Sequence, residues 1–584
     1  MLDFRNTNTL WASVLVETLV HLGATTAVIS PGSRSTPLTV AFASHPAIKA
    51  IPILDERSAS FFALGYAKAN GQAAILVCTS GTAGANYLPA IIEAFESQIP
   101  LLVLTADRPP ELRDCASGQT IDQQKLFGDY VRHYVDLALP QADVKQLQYL
   151  RQVTAQAWYE SCFPIAGPVH INCPFRDPLA PVIESSLQTI PPKLETSFFQ
   201  HLAQTRSESE TFGSPIALPT ALGKTNRGLI IVGPTQPHNP LAFCKAIATL
   251  SQSLGWPVIT DGLSPLRNWT SLNPHLITTY DLLLRHSHHA AALKPEQVIQ
   301  IGALPTSKIL RQWLEQSNPL RWIIDSTGRN RDPLHGAAIP LPISLEALAA
   351  AMSKTPQASR DYCKDWCTRD AIAQQRLTHH MQPLSDLREP KLSWLLPRLL
   401  PPETALMVAN SMPVRDVEWF WPLNDSGIRP YCSRGANGID GTLSTALGIA
   451  HHHQQAVLLT GDLALLHDSN GFLNATTRNQ HLTILLVNNQ GGGIFERLPI
   501  AEFEPPFETF FAMPQAVDFS LLAAAHGIAY QPIYTWEALQ AALTALPKKG
   551  VRLLELKSDR KQDHQYRQLL LETVGQFDMS AEGV

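Results

Sequence analysis

The sequence predicts an α/β protein with three doubly wound parallel-sheet domains, and three observations carry that expectation. Short, unbroken apolar runs recur along the chain with helix-length patterns between them, as parallel strands covered on both faces require. At 584 residues the chain is too long for one core, and about 150 residues per domain gives three or four. Two of the runs stop at polar tips, Gly461-Asp462 and Asn488-Asn489, as strands do where their carboxyl ends open onto a ligand-binding crevice.

In chain order, residues 1–185 predict strands at Thr25 to Ile29, Ala50 to Leu54, Ala74 to Cys78, Leu101 to Thr105 and Val169 to Asn172. From Leu187 to Arg227, Pro, Ser, Thr and Glu accumulate with weak periodicity, which reads as a surface linker opening the second region, 186–352. Strands are expected there at Gly228 to Val232, Val258 to Thr260, Val298 to Ile301 and Trp322 to Ile324. The third region, 353–584, starts with a charged helical lead-in to Leu400. Its expected strands are Ala405 to Ala409, Ala456 to Thr460, Ile484 to Val487 and Val551 to Leu556.

Composition narrows the function class. Charged residues make up 16%, apolar residues 45% and the net charge is −5, an ordinary globular balance. With a pI near 6.5 and no basic stripe interleaved with aromatics, a nucleic-acid groove is not expected. No uncharged apolar run reaches the ~18 residues needed for a membrane span. The start, MLDFRNTNTLWASVLVETL, carries Asp3 and Glu17 and reads as a folded helix, unlike a signal peptide, so a cytoplasmic protein is expected. The eight cysteines read as reduced core residues; Cys363 and Cys367 lack the second pair that a zinc site needs. The clusters His451 to His453 and His286, His288, His289 read as solvated segments.

Asp462 and Asn489 lie about two dozen residues apart, room for one helix between neighbouring parallel strands. With a carbonyl freed in the Gly491-Gly492-Gly493 run, they offer hard oxygen ligands of the kind Mg2+ uses beside phosphate oxygens. Taken singly, such residues cap helices and make turns. Together the stretch resembles the metal motif of thiamine diphosphate (ThDP) enzymes, with Leu463 where that motif has Gly. The resemblance implies the ThDP-enzyme fold, with a pyrimidine-binding first domain, a central domain and a diphosphate-binding third domain. It also implies ThDP with Mg2+ or Mn2+ as cofactors, and Asp462, Asn489 and Gly491 as metal ligands. Glu56 follows a strand and opens a helix; alone it reads as an acid complementing the helix dipole. The resemblance makes it the catalytic acid on the aminopyrimidine N1′, where a shared proton drives the imino tautomer.

Six stretches narrow the likeness: Ser30 to Pro37 (SPGSRSTP), Asp55 to Ser58 (DERS), Thr105 to Pro109 (TADRP), Gly118 to Gln123 (GQTIDQ), Ser433 to Gly441 (SRGANGIDG) and Asn488 to Leu498. Together they resemble the 2-succinyl-5-enolpyruvyl-6-hydroxy-3-cyclohexene-1-carboxylate synthases of menaquinone and phylloquinone biosynthesis. That family decarboxylates 2-oxoglutarate and adds the remaining carbanion to isochorismate. Both substrates are dicarboxylates, which suits arginine's planar, permanently charged fork. The family's substrate residues fall on Ser33, Arg34, Arg108, Gln119, Lys308, Ser411, Arg415 and Arg434. Ile439 is the wedge under the cofactor, with Ile494 and Phe495 beside it and Leu498 a substrate wall. A family Lys-Arg pair appears as Lys308-Ile309, leaving Arg311 as a candidate substitute. A homodimer or homotetramer with the site between subunits is implied. The alternative is another ThDP-dependent 2-keto acid lyase, an acetohydroxyacid synthase or a decarboxylase.

Overall fold

A computed structural model of the chain describes residues 2–184, 198–200, 202, 218–353, 359–475 and 480–580. Most of the expected linker from Leu187 to Arg227 lies outside the described residues. Among them, eighteen strands form three six-stranded sheets. The first contains β1 (Thr26–Ile29), β2 (Lys49–Pro52), β3 (Ala74–Cys78), β4 (Leu101–Asp107), β5 (His133–Asp136) and β6 (Pro168–Pro174), in the order β2-β1-β3-β4-β6-β5. The second contains β7 (Gly228–Val232), β8 (Val258–Thr260), β9 (Leu276–Ile277), β10 (Gln297–Ile301), β11 (Leu320–Ile324) and β12 (Ala338–Leu341), in the order β12-β11-β10-β7-β8-β9. The third contains β13 (Ala405–Val408), β14 (Arg429–Tyr431), β15 (Gln455–Gly461), β16 (His481–Asn488), β17 (Ala529–Ile533) and β18 (Gly550–Lys557), in the order β14-β13-β15-β16-β18-β17. Neighbouring strands pair in parallel, as in β1 with β3, β10 with β7 and β15 with β16.

The apolar runs located the central strands. Every residue of β3, β7 and β16 is buried, so each needs apolar side chains on both faces. The strands that the runs did not announce, β5, β9, β12, β14 and β17, are all sheet edges. β5 is half-buried throughout and β17 alternates with solvent, so neither needs a continuous apolar run.

The chain divides into two compact units: Met1–Gly213 with Ser433–His453 and His467–Arg478, and Ser214–Cys432 with Gln454–Leu466 and Asn479–Val584. The core of the first gathers Trp11, Leu15, Phe42, Leu102 and Ile171. In the second, one cluster holds Tyr280, Trp366 and Leu570, and another Leu406, Leu459, Leu485 and Leu554.

Within the first unit, the helix Glu56–Asn70 starts where the Asp55 carboxylate accepts from Ser58 N, and it ends at Gly71, which takes φ 71°. It packs against the helix Thr442–His453 so closely that a Cβ on Gly65 would lie 2.0 Å from the Thr445 carbonyl oxygen. One on Gly448 would lie 2.1 Å from that of Phe62. Gly448→Val is therefore expected to destabilise the protein by about 1–3 kcal/mol or more, through forced separation of the two helices. Gly118→Ala, where nothing lies within 4 Å of the added carbon, should stay within about 0.5 kcal/mol. Urea unfolding of the two variants checks this.

The same packing corrects the reading of the histidines. His451 is buried, its ring centroid 5.5 Å from that of Phe62 and 5.9 Å from that of Tyr66. In the second unit His289 is fully buried, with Nε2 3.1 Å from the Gly575 carbonyl, and burial pushes its pKa down to about 4. Both sit on helix faces that other elements cover, which local sequence does not reveal.

Candidate active site

In the first unit the candidate residues gather at the carboxyl ends of β1, β3 and β4. The loop after β1, which carries Ser33, touches the loop after β3: a Cβ on Gly32 would fall 2.2 Å from that of Thr79. The loop after β3 is tied in turn to the segment 118–123. Gln119 Nε2 donates to the Ser80 carbonyl at 3.0 Å, and Ser80 Oγ donates to that of Gln119 at 2.9 Å. Arg108 Nη2 donates to the Gly118 carbonyl at 2.7 Å. Arg34 is almost fully buried and donates through Nη1 to the Phe175 carbonyl at 2.8 Å, leaving Nε without a partner among the described residues. The backbone amide of Gly81 donates to Gln123 Oε1 at 2.8 Å.

Glu56 is the first residue of its helix and half-buried. Beyond it lie Tyr87 and Cys78, both fully inside; burial pushes the tyrosine hydroxyl and the cysteine thiol up, and the Glu56 charge adds to both shifts. Ile439 and Arg434, both half-buried, lie on either side of a pinned segment. The buried Glu93 carboxylate accepts from Gly435 N at 3.1 Å, Ala436 N at 2.7 Å and Ser97 Oγ at 2.6 Å, with Lys68 Nζ 3.3 Å away. A buried carboxylate persists when paired and bonded in this way. Neither Glu93 nor Lys68 was marked by the sequence, since their partners are far away along the chain.

In the second unit, pairing of Gly461 with Val487 sets the tips of β15 and β16 side by side. Asp462 opens the next helix, and its carboxylate accepts from Leu463 N and Gly491 N, each at 2.8 Å. Burial pushes its carboxyl pKa up to about 6. Leu463 contributes a backbone amide, which any residue supplies, so the departure from the ThDP motif leaves this contact intact. Asn489 donates through Nδ2 to Glu389 Oε1 at 2.6 Å, while its Oδ1 is buried with no partner among the described residues. An orphaned buried oxygen costs roughly 1–3 kcal/mol unless something completes it, and a cation would do so. Gly491 has φ 133°, and a Cβ there would sit 2.3 Å from the Ala512 carbonyl oxygen, so only glycine fits.

Asp462, Asn489 Oδ1 and the Gly491 carbonyl thus fit a small hard cation that completes its sphere with phosphate and water oxygens. The sequence missed what holds them. Glu389 Oε2 accepts from Arg567 at 2.7 Å, and Arg567 grips Asp416 with two bonds of 2.7 and 2.8 Å.

A cavity of about 250 Å³ adjoins the loop that follows Gly491. Its cations are Lys308, Arg415, Arg285 and Arg497; Ile309, Ile494, Leu498 and Trp419 form apolar wall. Arg415 Nη1 reaches back one helical turn to donate to the Ser411 carbonyl at 2.5 Å. Phe495 does not line this cavity but packs against Phe511, ring centroids 5.6 Å apart. Arg311, the candidate substitute beside Ile309, donates to the Pro305 carbonyl at 3.2 Å and is absent from the cavity wall. Arg285 and Arg497 carried no sequence signal, since only the folded chain brings them to Lys308.

Comparison with known proteins agrees along the whole chain. Residues 11–126 match the family described as thiamine pyrophosphate enzyme, N-terminal TPP binding domain; residues 219–408 match the middle domain of thiamine pyrophosphate; and 426–556 match the C-terminal TPP binding domain. The chain is 54% identical over 570 residues to the 2-succinyl-5-enolpyruvyl-6-hydroxy-3-cyclohexene-1-carboxylate synthase of Trichodesmium erythraeum, covering 97% of this chain and 98% of that one. The synthase of the same name from Trichormus variabilis is 53% identical over 568 residues, covering 97% of each. That from Rippkaea orientalis is 50% identical over 585, covering 100% of this chain and 99% of the other.

Proposed function

The chain belongs to the 2-succinyl-5-enolpyruvyl-6-hydroxy-3-cyclohexene-1-carboxylate synthase family of thiamine pyrophosphate enzymes, and from that membership we propose how its residues share the work. The reaction is decarboxylation of 2-oxoglutarate and 1,4-addition of the remaining four-carbon unit to isochorismate. ThDP, when bound, supplies the electron sink for decarboxylation and carbon–carbon bond formation.

The observation that carries the substrate assignment is the cation-rich cavity beside the Gly491 loop. Lys308, Arg415, Arg285 and Arg497 converge on a space suited to a small dicarboxylate. The cavity holds four cations against two acids, Asp281 and Glu418, and a site for small apolar keto acids has no use for that surplus, which argues against the other ThDP lyases. Glu56 holds the proton at the pyrimidine N1′, and Asp462, Asn489 and Gly491 hold the cation on the diphosphate, with Mg2+ the best fit to the three oxygens. Ile439, Ile494 and Phe495 give the cofactor its apolar support. Ser33, Arg34, Arg108, Gln119, Lys308, Ser411, Arg415 and Arg434 serve the carboxylates, and Leu498 is an apolar wall of the substrate site.

We place the complete site between two chains of a homodimer or homotetramer. Large apolar side chains stand exposed beside both groups of candidate residues: Leu54, 65% exposed, next to Glu56, and Phe510, 72% exposed, in the segment after Gly491. No helix among the described residues is long and apolar enough to cross a membrane, and a cytoplasmic location is in keeping with the substrates.

Incubation with 2-oxoglutarate, isochorismate, ThDP and Mg2+ is expected to release CO2 and form the coupled product, with pyruvate a poor donor. Pyruvate preferred over 2-oxoglutarate would overturn the assignment in favour of another lyase.

A further inference from the structure

We propose that Arg497 binds the carboxylate of a small aliphatic dicarboxylate in the second-unit cavity, where it takes the place of the cation that Ile309 does not supply. The proposal rests on the dicarboxylate reading of that cavity and adds the residue that sets specificity.

The cavity's two acids are already committed. The Asp281 carboxylate is held by Arg285 at 2.8 Å and accepts from Ser307 Oγ. Glu418 is fully inside, accepts from Gly262 N at 2.6 Å and Tyr280 Oη, and lies 3.4 Å from Arg267. Among the cations, Arg285 is thereby paired, and Arg415 has one donor on the Ser411 carbonyl. Lys308 is exposed at the start of its helix.

Arg497 differs from all three. It is half-buried, its guanidinium carbon 4.3 Å from the centroid of the Trp419 ring, and its side chain has no hydrogen-bond or ion-pair partner among the described residues. The ring fixes the plane of the fork and leaves its donor edge unused. Burial, together with Arg567, Arg285 and Arg415 nearby, pushes its pKa down to about 10, as an uncompensated positive charge there would. Asp416 is close enough to act on it but is already gripped by Arg567. An anion of small size is what this arrangement lacks. Arg497 lies six residues after Gly491 on the same loop, so a carboxylate held there is anchored to the segment that also offers the cation ligand.

The probe is succinate, which has the two carboxylates of the aliphatic substrate but no keto group and cannot react. Calorimetric titration of the full chain with succinate is expected to show binding weakened about 10- to 100-fold in Arg497→Met, with unchanged thermal unfolding. Arg497→Gln, which keeps a polar head on a similar stem, should lose about as much and decides the matter if the methionine variant does not fold. In steady-state assays KM for 2-oxoglutarate should rise by a similar factor, with kcat within about threefold. Wild-type succinate affinity in a folded Arg497→Met or Arg497→Gln overturns the proposal. Because succinate binding needs no turnover, a protein that binds succinate through Arg497 but fails to decarboxylate 2-oxoglutarate would refute the proposed reaction and leave this inference standing.

Discussion

Glu56→Gln is expected to lower kcat by roughly 10²–10⁴-fold, the range for loss of a positioned acid or base, while cofactor binding is largely kept. The side chain stands at the first position of its helix, where glutamine fits the same space. The helix start does not depend on it, because Asp55 makes the cap to Ser58 N at 2.9 Å. Loss of the charge near the helix N-terminus costs about 0.3–1 kcal/mol, too little to unfold the protein. On the proposed assignment the variant loses the proton that the carboxylic acid would share with N1′; an amide cannot exchange it. Turnover measured as CO2 release, beside ThDP binding followed by tryptophan fluorescence, separates the two effects. Normal turnover in the variant would show that the tautomer is set elsewhere.

Asp462→Ala is expected to abolish Mg2+-dependent ThDP binding. It removes the one carboxylate in a donor set otherwise made of an amide and a carbonyl oxygen, so the cation would meet only neutral ligands. The loss should exceed the roughly 10–100-fold typical when only an outer partner of a metal ligand is removed. The substitution also strips the acceptor from Leu463 N and Gly491 N, so the metal-free protein should lose about 1–3 kcal/mol. Calorimetric titration of ThDP with and without Mg2+ checks the first effect, and urea unfolding without either ligand checks the second. Undiminished Mg2+-dependent binding would remove Asp462 from the metal assignment.

How much the sequence revealed follows from how far each signal reaches. Central strands such as β3, β7 and β16 are buried on both faces and so carry their own apolar signature. Edge strands such as β5 and β14 are defined by a neighbour and have none. The polar strand tips and the glycine loop were legible because each marks a place where a strand must stop or a backbone must bend, whereas Glu56 was singled out by the family resemblance. Glu389, Arg567 and Asp416 were not: they come from three separate helices and link in series, with Glu389 alone touching Asn489, and no local spacing records that meeting. Arg497 lay inside a quoted motif, yet its value depends on Trp419 and on the acids already consumed around it. Ile309 was visible as a departure, but only the cavity wall shows that Arg311 does not fill the gap.

The first and third sheets have the same strand order, with sequential strands two, one, three, four, six and five side by side. Equivalent positions have nonetheless diverged. After the second strand, one copy starts its helix with Glu56, whereas the other arrives at Ile439 just before its own helix. At the ends of the third and fourth strands, one copy has Ser80 and Arg108, which bond to a neighbouring loop, and the other has Asp462 and Asn489. Neither half can stand in for its counterpart, so the repetition gives no insurance against mutation: damage to a single position in either copy has no backup elsewhere in the molecule.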